Sequence, residues 1–437
     1  MTTTDNASTA STRARGPLDV PPARPPLTHP LLGANALTLL RVLSGNGWIP
    51  PSRWPHVALC LAACAGRAPF TWLERLLLAG RRKPAADDVQ PLFIVGHWRS
   101  GTTHLHNLMN CSPRFGFITP LASGLPWELL TLATWLRPLL EKALPEDRYV
   151  DNVAVTPGSP QEDEIPLASM QPLSVFHANY FPRHFERNFN RAVFGDGVSP
   201  RAARRWQRAL RLLYRKVAIQ QRNPQLLIKN PVYTARLLEL RELYPQAKFV
   251  HIYRNPYVVF RSTVHYYRRL LPELALQSFA SLDIPDFVER SYVRLMREHD
   301  RQREQLPPGT ICDVRFEDLE QAPLAALQRV YGELQLDGFD ADRPLIEAYV
   351  QSMGGYRKNT YDFEPDVIER VERSWREWVE RWGYESPAPA KHSESQVLVP
   401  SRSPPGEPGA YTDGREDKSR ERERAGPGGG HACKPTR

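Results

Sequence analysis

Cysteine is scarce in this 437-residue chain, and its five copies (Cys60, Cys64, Cys111, Cys312 and Cys433) are scattered. That number and spacing exclude a disulfide framework and a four-ligand zinc site. Cys60 and Cys64 share a helix face with no His or Cys pair following at metal spacing, so they read as buried thiols. An uninterrupted run long enough to span a bilayer is also missing. The most hydrophobic stretch, His56 to Gly80, is interrupted by Arg67, Pro69 and Glu74. Met1 to Pro30 consists largely of Thr, Ser, Ala and Pro, without the apolar centre of a secretory leader. A cytoplasmic protein is therefore expected, with room for a segment that rests on a membrane surface. No internal repeat is found, and collagenous, disulfide-rich and coiled-coil classes are excluded.

The composition that remains is that of a globular protein, 41% apolar and 24% charged. Proline, with 42 residues, is almost twice as frequent as usual and gathers at the two ends. The net charge of +9 suits nucleic acid, an anionic membrane or a phosphorylated ligand, and does not choose among them. Residues 1–30 and 386–437 read as disordered tails. Opposite charges around Arg415–Arg424 nearly cancel, which argues for a solvated tail rather than a nucleic-acid arm. The folded part is 31–385, with a helical portion at 31–88 and a core at 89–385.

Within the core, short apolar runs alternate with helical patterns. Strands are expected at Pro91–Val95, Leu226–Ile228, Lys248–Tyr253 and Thr310–Val314, with helices over Thr102–Asn110, Tyr233–Leu243 and Ala322–Glu333. Asn255-Pro256 reads as a helix cap and first turn. Ile368, Val371, Trp375, Trp378 and Trp382, at spacings of three and four, place one helix face on the core. Such alternation argues for an α/β fold with a parallel sheet.

The most informative segment is Phe93-Ile-Val-Gly-His-Trp-Arg-Ser-Gly-Thr-Thr-His-Leu105. Strand, Gly96, four residues, Gly101, two threonines and a helix together form the frame of a phosphate-cradling loop. Glycines let backbone N–H groups approach oxygens, and the helix N-terminus adds positive potential. An ordinary glycine-containing turn is the alternative. A nucleotide triphosphatase loop would carry Lys after the second glycine, where this chain has Thr102. The cation is instead Arg99, which leaves a γ-phosphate and Mg²⁺ site poorly supported. A second segment, Phe249-Val-His-Ile-Tyr-Arg-Asn-Pro-Tyr-Val-Val-Phe-Arg-Ser262, sets Arg254 at a strand end and Ser262 on the following helix. A cation and a hydroxyl at such a junction can converge on one phosphate.

Arg99-Ser-Gly-Thr-Thr103 resembles the loop with which sulfotransferases hold the 5′-phosphosulfate of 3′-phosphoadenosine 5′-phosphosulfate (PAPS). Arg254 and Ser262, eight residues apart, resemble that family's 3′-phosphate unit. Val314-Arg-Phe-Glu-Asp-Leu319 and Lys229-Asn-Pro231 resemble two lesser landmarks of the family, over a likeness covering about residues 90–385 and closest to its bacterial branch. The resemblance implies a three-layer α/β sandwich with a P-loop-like nucleotide-binding fold and helical additions. It implies sulfonate transfer from PAPS to a hydroxyl, with Arg99, Ser100, Gly101, Thr102, Thr103, Arg254 and Ser262 binding the donor. Arg357 and Lys358, in Tyr356–Tyr361, match a basic loop over the nucleotide, or else form a solvated basic turn. Arg99 would stabilise the transferring group with help from Lys229, and no metal is implied.

The base for the acceptor proton is less determined. Pro231, Ile228 and Tyr233 occupy positions where various relatives carry their acid or base. Pro160-Gln-Glu-Asp-Glu-Ile-Pro166 resembles an acidic element of the bacterial branch, which makes Glu164 and Glu162 candidates, Glu164 first. The alternative is that these acids only start a helix. His97 and His177 are weaker candidates, better read as structural. Arg201–Lys216 reads as an amphipathic surface helix, or as a surface for an anionic membrane or lipophilic acceptor. Pro126–Leu140 and His56–Leu78 suit an apolar acceptor pocket, an interfacial lid or a helical cap on the sheet. The expected function is PAPS-dependent sulfonation of a small or lipid-like acceptor. A Mg²⁺-dependent kinase-like enzyme and a nucleotide-binding protein without transfer activity are the alternatives.

Overall fold

The computed structural model describes residues 29–80, 89–142, 156–352 and 363–388. The tails expected at 1–30 and 386–437 lie almost wholly outside these residues, as do Arg357 and Lys358. Four parallel strands form the sheet: β1 (Gln90–Val95), β2 (Gln225–Lys229), β3 (Lys248–Tyr253) and β4 (Ile311–Arg315), in the order β2-β1-β3-β4. Alternate side chains leave it on opposite faces. Phe93, Val95, Leu226, Ile228 and Phe249 enter one core, and Leu92, Ile94, Leu227, Val250, Ile252, Cys312 and Val314 enter the other. A sheet buried on both faces explains why its strands are continuous apolar runs rather than alternating ones.

The principal helices are α1 (Ala36–Gly45), α2 (Trp54–Ala79), α3 (Thr102–Met109), α4 (Glu164–Met170) and α5 (Pro200–Gln221). They continue with α6 (Pro256–Leu274), α7 (Ile284–Arg303), α8 (Pro323–Glu333), α9 (Pro365–Ser374) and α10 (Arg376–Arg381). Leu105 and Met109 of α3, with Leu327 and Val330 of α8, cover one sheet face. Trp206 and Leu213 of α5, with apolar residues of α6, α7, α9 and α10, cover the other. The expected three-layer sandwich is thus present. Asn255 caps α6, its Oδ1 accepting from the Tyr257 N–H at 3.0 Å.

Two expected helices are divided. Tyr233–Leu243 becomes a 3₁₀ turn, Pro231–Ala235, and a helix, Leu237–Leu243, separated by Arg236 at φ −135°. The tight turn points Tyr233 and Thr234 inward, where they bond Asp163 and the Gly96 N–H. The tryptophan-rich stretch breaks at Trp375 (φ −115°), whose indole N–H donates to the Glu289 carbonyl at 2.9 Å while its ring stacks on Tyr292.

Arg67, Pro69 and Glu74 do not interrupt α2. Pro69 lies on its exposed side, and the two charges turn inward. Arg67 pairs with Glu128, and Glu74 pairs with Lys216 of α5 at 2.7 Å. Lys216 also donates to the Pro126 and Trp127 carbonyls, and Glu74 accepts from the Leu130 and Thr131 N–H groups. Cys60 and Cys64 are buried on the same side, as their spacing suggested.

Glu74→Ala strands the Lys216 ammonium in the interior and is expected to destabilise the fold by about 3–5 kcal/mol in denaturant unfolding. Acid should also destabilise the protein. Burial holds His29, His97, His177 and His299 at a pKa of about 4. The unfolded chain then binds more protons than the folded one between that value and about 6.5, so this stabilisation is complete above pH 6.5 and lost as pH falls towards 4. Calorimetry across that range should show a falling unfolding midpoint; a level profile would contradict the assignment.

Candidate active site

Each strand delivers a residue of the site at its carboxyl end, where open parallel sheets place their ligands. The β1 loop carries Arg99, β2 ends on Lys229, Arg254 follows β3, and Phe316 follows β4.

The loop is shaped by two glycines. A Cβ at Gly96 (φ +142°) would lie 2.3 Å from the Ile252 carbonyl oxygen of β3. At Gly101 (φ +99°) it would lie 2.2 Å from the Phe316 ring. Both positions require glycine for conformation and for space. The Gly96 N–H donates to Thr234 Oγ1 at 2.8 Å, and the Ser100 N–H donates to the His97 carbonyl at 3.2 Å. Arg99 itself is left-handed, φ +69°, a costly conformation for a residue with a side chain and one that gathers at functional sites. Helix α3 starts at Thr102 without a side-chain cap, so its first-turn N–H groups face outward along the axis. The Ser100 hydroxyl is buried and has no hydrogen-bond partner within the described protein. An unsatisfied buried hydroxyl beside an uncapped helix start suits the oxygens of an anion.

The two sequence motifs meet here. Arg99 Nε donates to Ser262 Oγ of α6 at 3.0 Å across 163 residues of chain. Arg254 lies over the Phe316 ring at 4.1 Å, and the same ring packs against Gly101. Phe316 therefore contacts both the Arg254 guanidinium and the loop. The sequence reading passed over this residue, although Val314–Leu319 had marked its segment.

The acidic segment approaches from the β2 side. Glu162 forms an ion pair with Lys229 Nζ, which also lies 3.4 Å from Thr103 Oγ1 of the loop. The Glu162 side chain is 23% exposed. Glu164 is in a different position. It is buried, its Oε2 accepting from Asn230 Nδ2 at 2.9 Å and its Oε1 from the Val175 N–H at 3.0 Å, and burial raises its pKa. Between them Asp163 accepts from Tyr214 at 2.7 Å, from Tyr233 and from Asn230 at 2.9 Å. Burial pushes the Asp163 carboxyl up to about 7 against the pull of these donors. Asn230 holds both buried acids to the end of β2, leaving Glu162 directed at Lys229.

His97 and His177 are both buried and held by backbone carbonyls. His97 is buried among Trp98, Tyr292 and Trp375 with Nδ1 on the Trp98 carbonyl at 2.8 Å. His177 sits between the Pro172 and Ala168 carbonyls, 3.0 Å from each. No cluster of His, Cys, Asp and Glu among the described residues could hold a metal ion.

A three-layer α/β fold with a glycine-framed loop at the carboxyl end of its sheet is a P-loop-like architecture. Comparison gives the family. A model described as the sulfotransferase family matches residues 91–341. Two curated relatives, the omega-hydroxy-beta-dihydromenaquinone-9 sulfotransferases Stf3 of Mycobacterium bovis and Mycobacterium tuberculosis, are each 32% identical over 366 residues, 82% of this chain and 93% of the relative. The protein belongs to the sulfotransferase family and is an enzyme of sulfonate transfer. Its fold is shared with the crystal structure of sulfotransferase STF9 from Mycobacterium avium (TM-score 0.56, 15% identity, 73% of this chain and 81% of that one). It is also shared with STF1 from Mycobacterium tuberculosis (TM-score 0.50, 16% identity, 77% and 89%).

Gly101→Ala drives a methyl into Phe316 and strains the turn, with an expected cost of about 1–3 kcal/mol. Its transferase activity should fall at least tenfold. Adding Phe316→Ala should restore part of the unfolding midpoint, because the overlap is removed.

Proposed function

We propose that the protein transfers a sulfonate group from PAPS to a hydroxyl of a lipophilic acceptor. The observation that supports this most strongly is the contact of Arg99 with Ser262, which joins the loop for the 5′-phosphosulfate to the unit for the 3′-phosphate. The residues present suit that donor. Arg99, the unpartnered Ser100 hydroxyl, Gly101, Thr102 and Thr103 would receive the phosphosulfate, and Arg254 with Ser262 the 3′-phosphate. When bound, the donor supplies a sulfuryl group already activated on a phosphate.

The chain's own groups then have separate tasks. Glu162 is the base in this reading, since its carboxyl is partly exposed beside Lys229, whereas Glu164 is enclosed and saturated with donors. Glu164 becomes a positioning residue, an inversion of the order expected from the sequence. Glu162 takes the proton of the acceptor hydroxyl as its oxygen bonds to sulfur. Lys229, within reach of both Glu162 and Thr103, presents positive charge where the sulfur–oxygen bond to phosphate breaks, and Arg99 does so from the loop after the neighbouring strand β1. Positioning and electrostatics carry the catalysis, as in phosphoryl transfer. The lipophilic acceptor is supported by the relatives' names, which state a menaquinone-derived substrate for those proteins.

Calorimetric titration tests the donor site. Adenosine 3′,5′-bisphosphate should bind at least tenfold more tightly than adenosine 5′-monophosphate or ATP with Mg²⁺; equal binding would overturn the assignment. Arg254→Ala should weaken the bisphosphate at least tenfold. Glu162→Gln should bind it as the parent does while kcat falls about 10²–10⁴-fold. If Glu164→Gln alone produced that kinetic loss without lowering the unfolding midpoint, the assigned roles would be reversed.

A further inference from the structure

Helix α2 has its polarity reversed. Its charges, Arg67 and Glu74, are turned to the interior, apart from Arg75, and its outward face is apolar. Trp54, Ala58, Leu61, Ala65, Pro69, Trp72 and Leu76 follow one another at steps of three and four, and every one is exposed. That stripe runs along about 33 Å of helix at 1.5 Å per residue. Trp72 is 63% and Leu76 70% exposed, and with their neighbours along the stripe they form a contiguous apolar patch rather than scattered single residues. The stripe extends onto the two short helices Leu132–Trp135 and Arg137–Lys142. Phe70 contacts the Trp135 ring edge-on at 6.2 Å, and Trp135 and Leu139 are 57% and 65% exposed.

Among the described residues of these N-terminal and short helices, the exposed charge left outside ion pairs has one sign. Of the acids in residues 29–80 and 120–142, Glu74 and Glu128 are buried in ion pairs, and Glu141 is paired with Arg137. Arg41, Arg75 and Lys142 are exposed there. Helix α5, joined to α2 through Lys216–Glu74 and through Arg215 to the Leu78 carbonyl, carries exposed arginines at 204, 208 and 211 on one side. A second copy of the chain set symmetrically on this face would oppose cation to cation. An anionic lipid surface complements both features: aliphatic and indole side chains enter the acyl boundary and arginines meet the headgroups.

We propose that the outward face of α2 and the two short helices docks the protein on an anionic bilayer, with α2 lying in the plane of the interface and the arginines of α5 on the headgroups. No described helix is long and apolar enough to cross a membrane, so the association is peripheral. The docked face is tied to the site through Trp127, whose indole N–H donates to the Ser169 carbonyl of α4, the helix that begins beside Glu162. Binding to lipid does not depend on the donor or acceptor assigned above.

The test is cosedimentation of the full chain with large vesicles of phosphatidylcholine alone and of phosphatidylcholine with phosphatidylglycerol. The protein should partition at least tenfold more strongly onto the anionic vesicles, and brominated lipid should quench its tryptophan fluorescence. The combined variant Trp72→Ser, Leu76→Ser, Trp135→Ser should lose at least tenfold in partition with its unfolding midpoint unchanged. Arg204→Gln, Arg208→Gln, Arg211→Gln should instead lose the preference for phosphatidylglycerol. Failure of the parent to sediment with anionic vesicles would overturn the proposal, as would unaltered binding by the first variant. A parental dimer that this variant converts to a monomer in light scattering would also overturn it, by showing that a second copy covers the face.

Discussion

The backbone of the β1 loop comes against the backbone of β3, and the site depends on that approach. Gly96 is the only side-chain-free solution, because any Cβ would overlap the Ile252 carbonyl oxygen. Once the loop is held there, Arg99 reaches α6 and Ser262 rather than solvent. The same constraint recurs at Gly101, which allows Phe316, the ring under Arg254, to lie against the loop. The two sequence motifs, distant along the chain, are thereby brought together by contacts that tolerate no additional atom. The positive φ of Arg99 is the local strain that this closure imposes.

The acidic segment shows how burial divides three neighbouring carboxyls. Asp163 and Glu164 are enclosed, furnished with donors from Asn230, Tyr214, Tyr233 and the Val175 N–H, and raised in pKa by desolvation. They fasten α4 to the end of β2 through Asn230, whose own N–H is bonded to the Ile94 carbonyl. Glu162 is left at the margin with Lys229. Adjacent acids thus serve different purposes according to which side of the turn they leave, a distinction set by environment rather than residue type. Tyr233 contributes to this fastening by donating to Asp163.

The N-terminal helices join the same framework by an unusual arrangement of polarity. The ion pairs Glu74–Lys216 and Arg67–Glu128 form a polar seam between α2, α5 and the segment around Trp127. A buried pair contributes less to stability than its Coulomb attraction suggests. It does, however, fix which side of α2 faces inward, and the leucines and tryptophans are directed outward as a result. Read linearly, Arg67 and Glu74 appear to interrupt a hydrophobic stretch. Folded, they are the reason that stretch is exposed.

The sequence by itself determined the strand runs, the glycine-framed loop, the missing lysine after Gly101 and the spacing of Arg254 to Ser262. These are local, since a strand, a tight turn and a helix start are written within a dozen residues. It also marked Pro160–Pro166 as the acidic element, but could not say which carboxyl stays accessible. Only the tertiary structure decided that, because accessibility depends on Asn230, Tyr214 and Tyr233, which are distant in the chain and are brought together by β2 and α5. Phe316 escaped notice for the same reason: an aromatic after a strand has no local signature until Gly101 and Arg254 close on it. The breaks at Arg236 and Trp375 were likewise invisible to periodicity, since hydrogen bonds to distant partners outweigh the preference for a continuous helix.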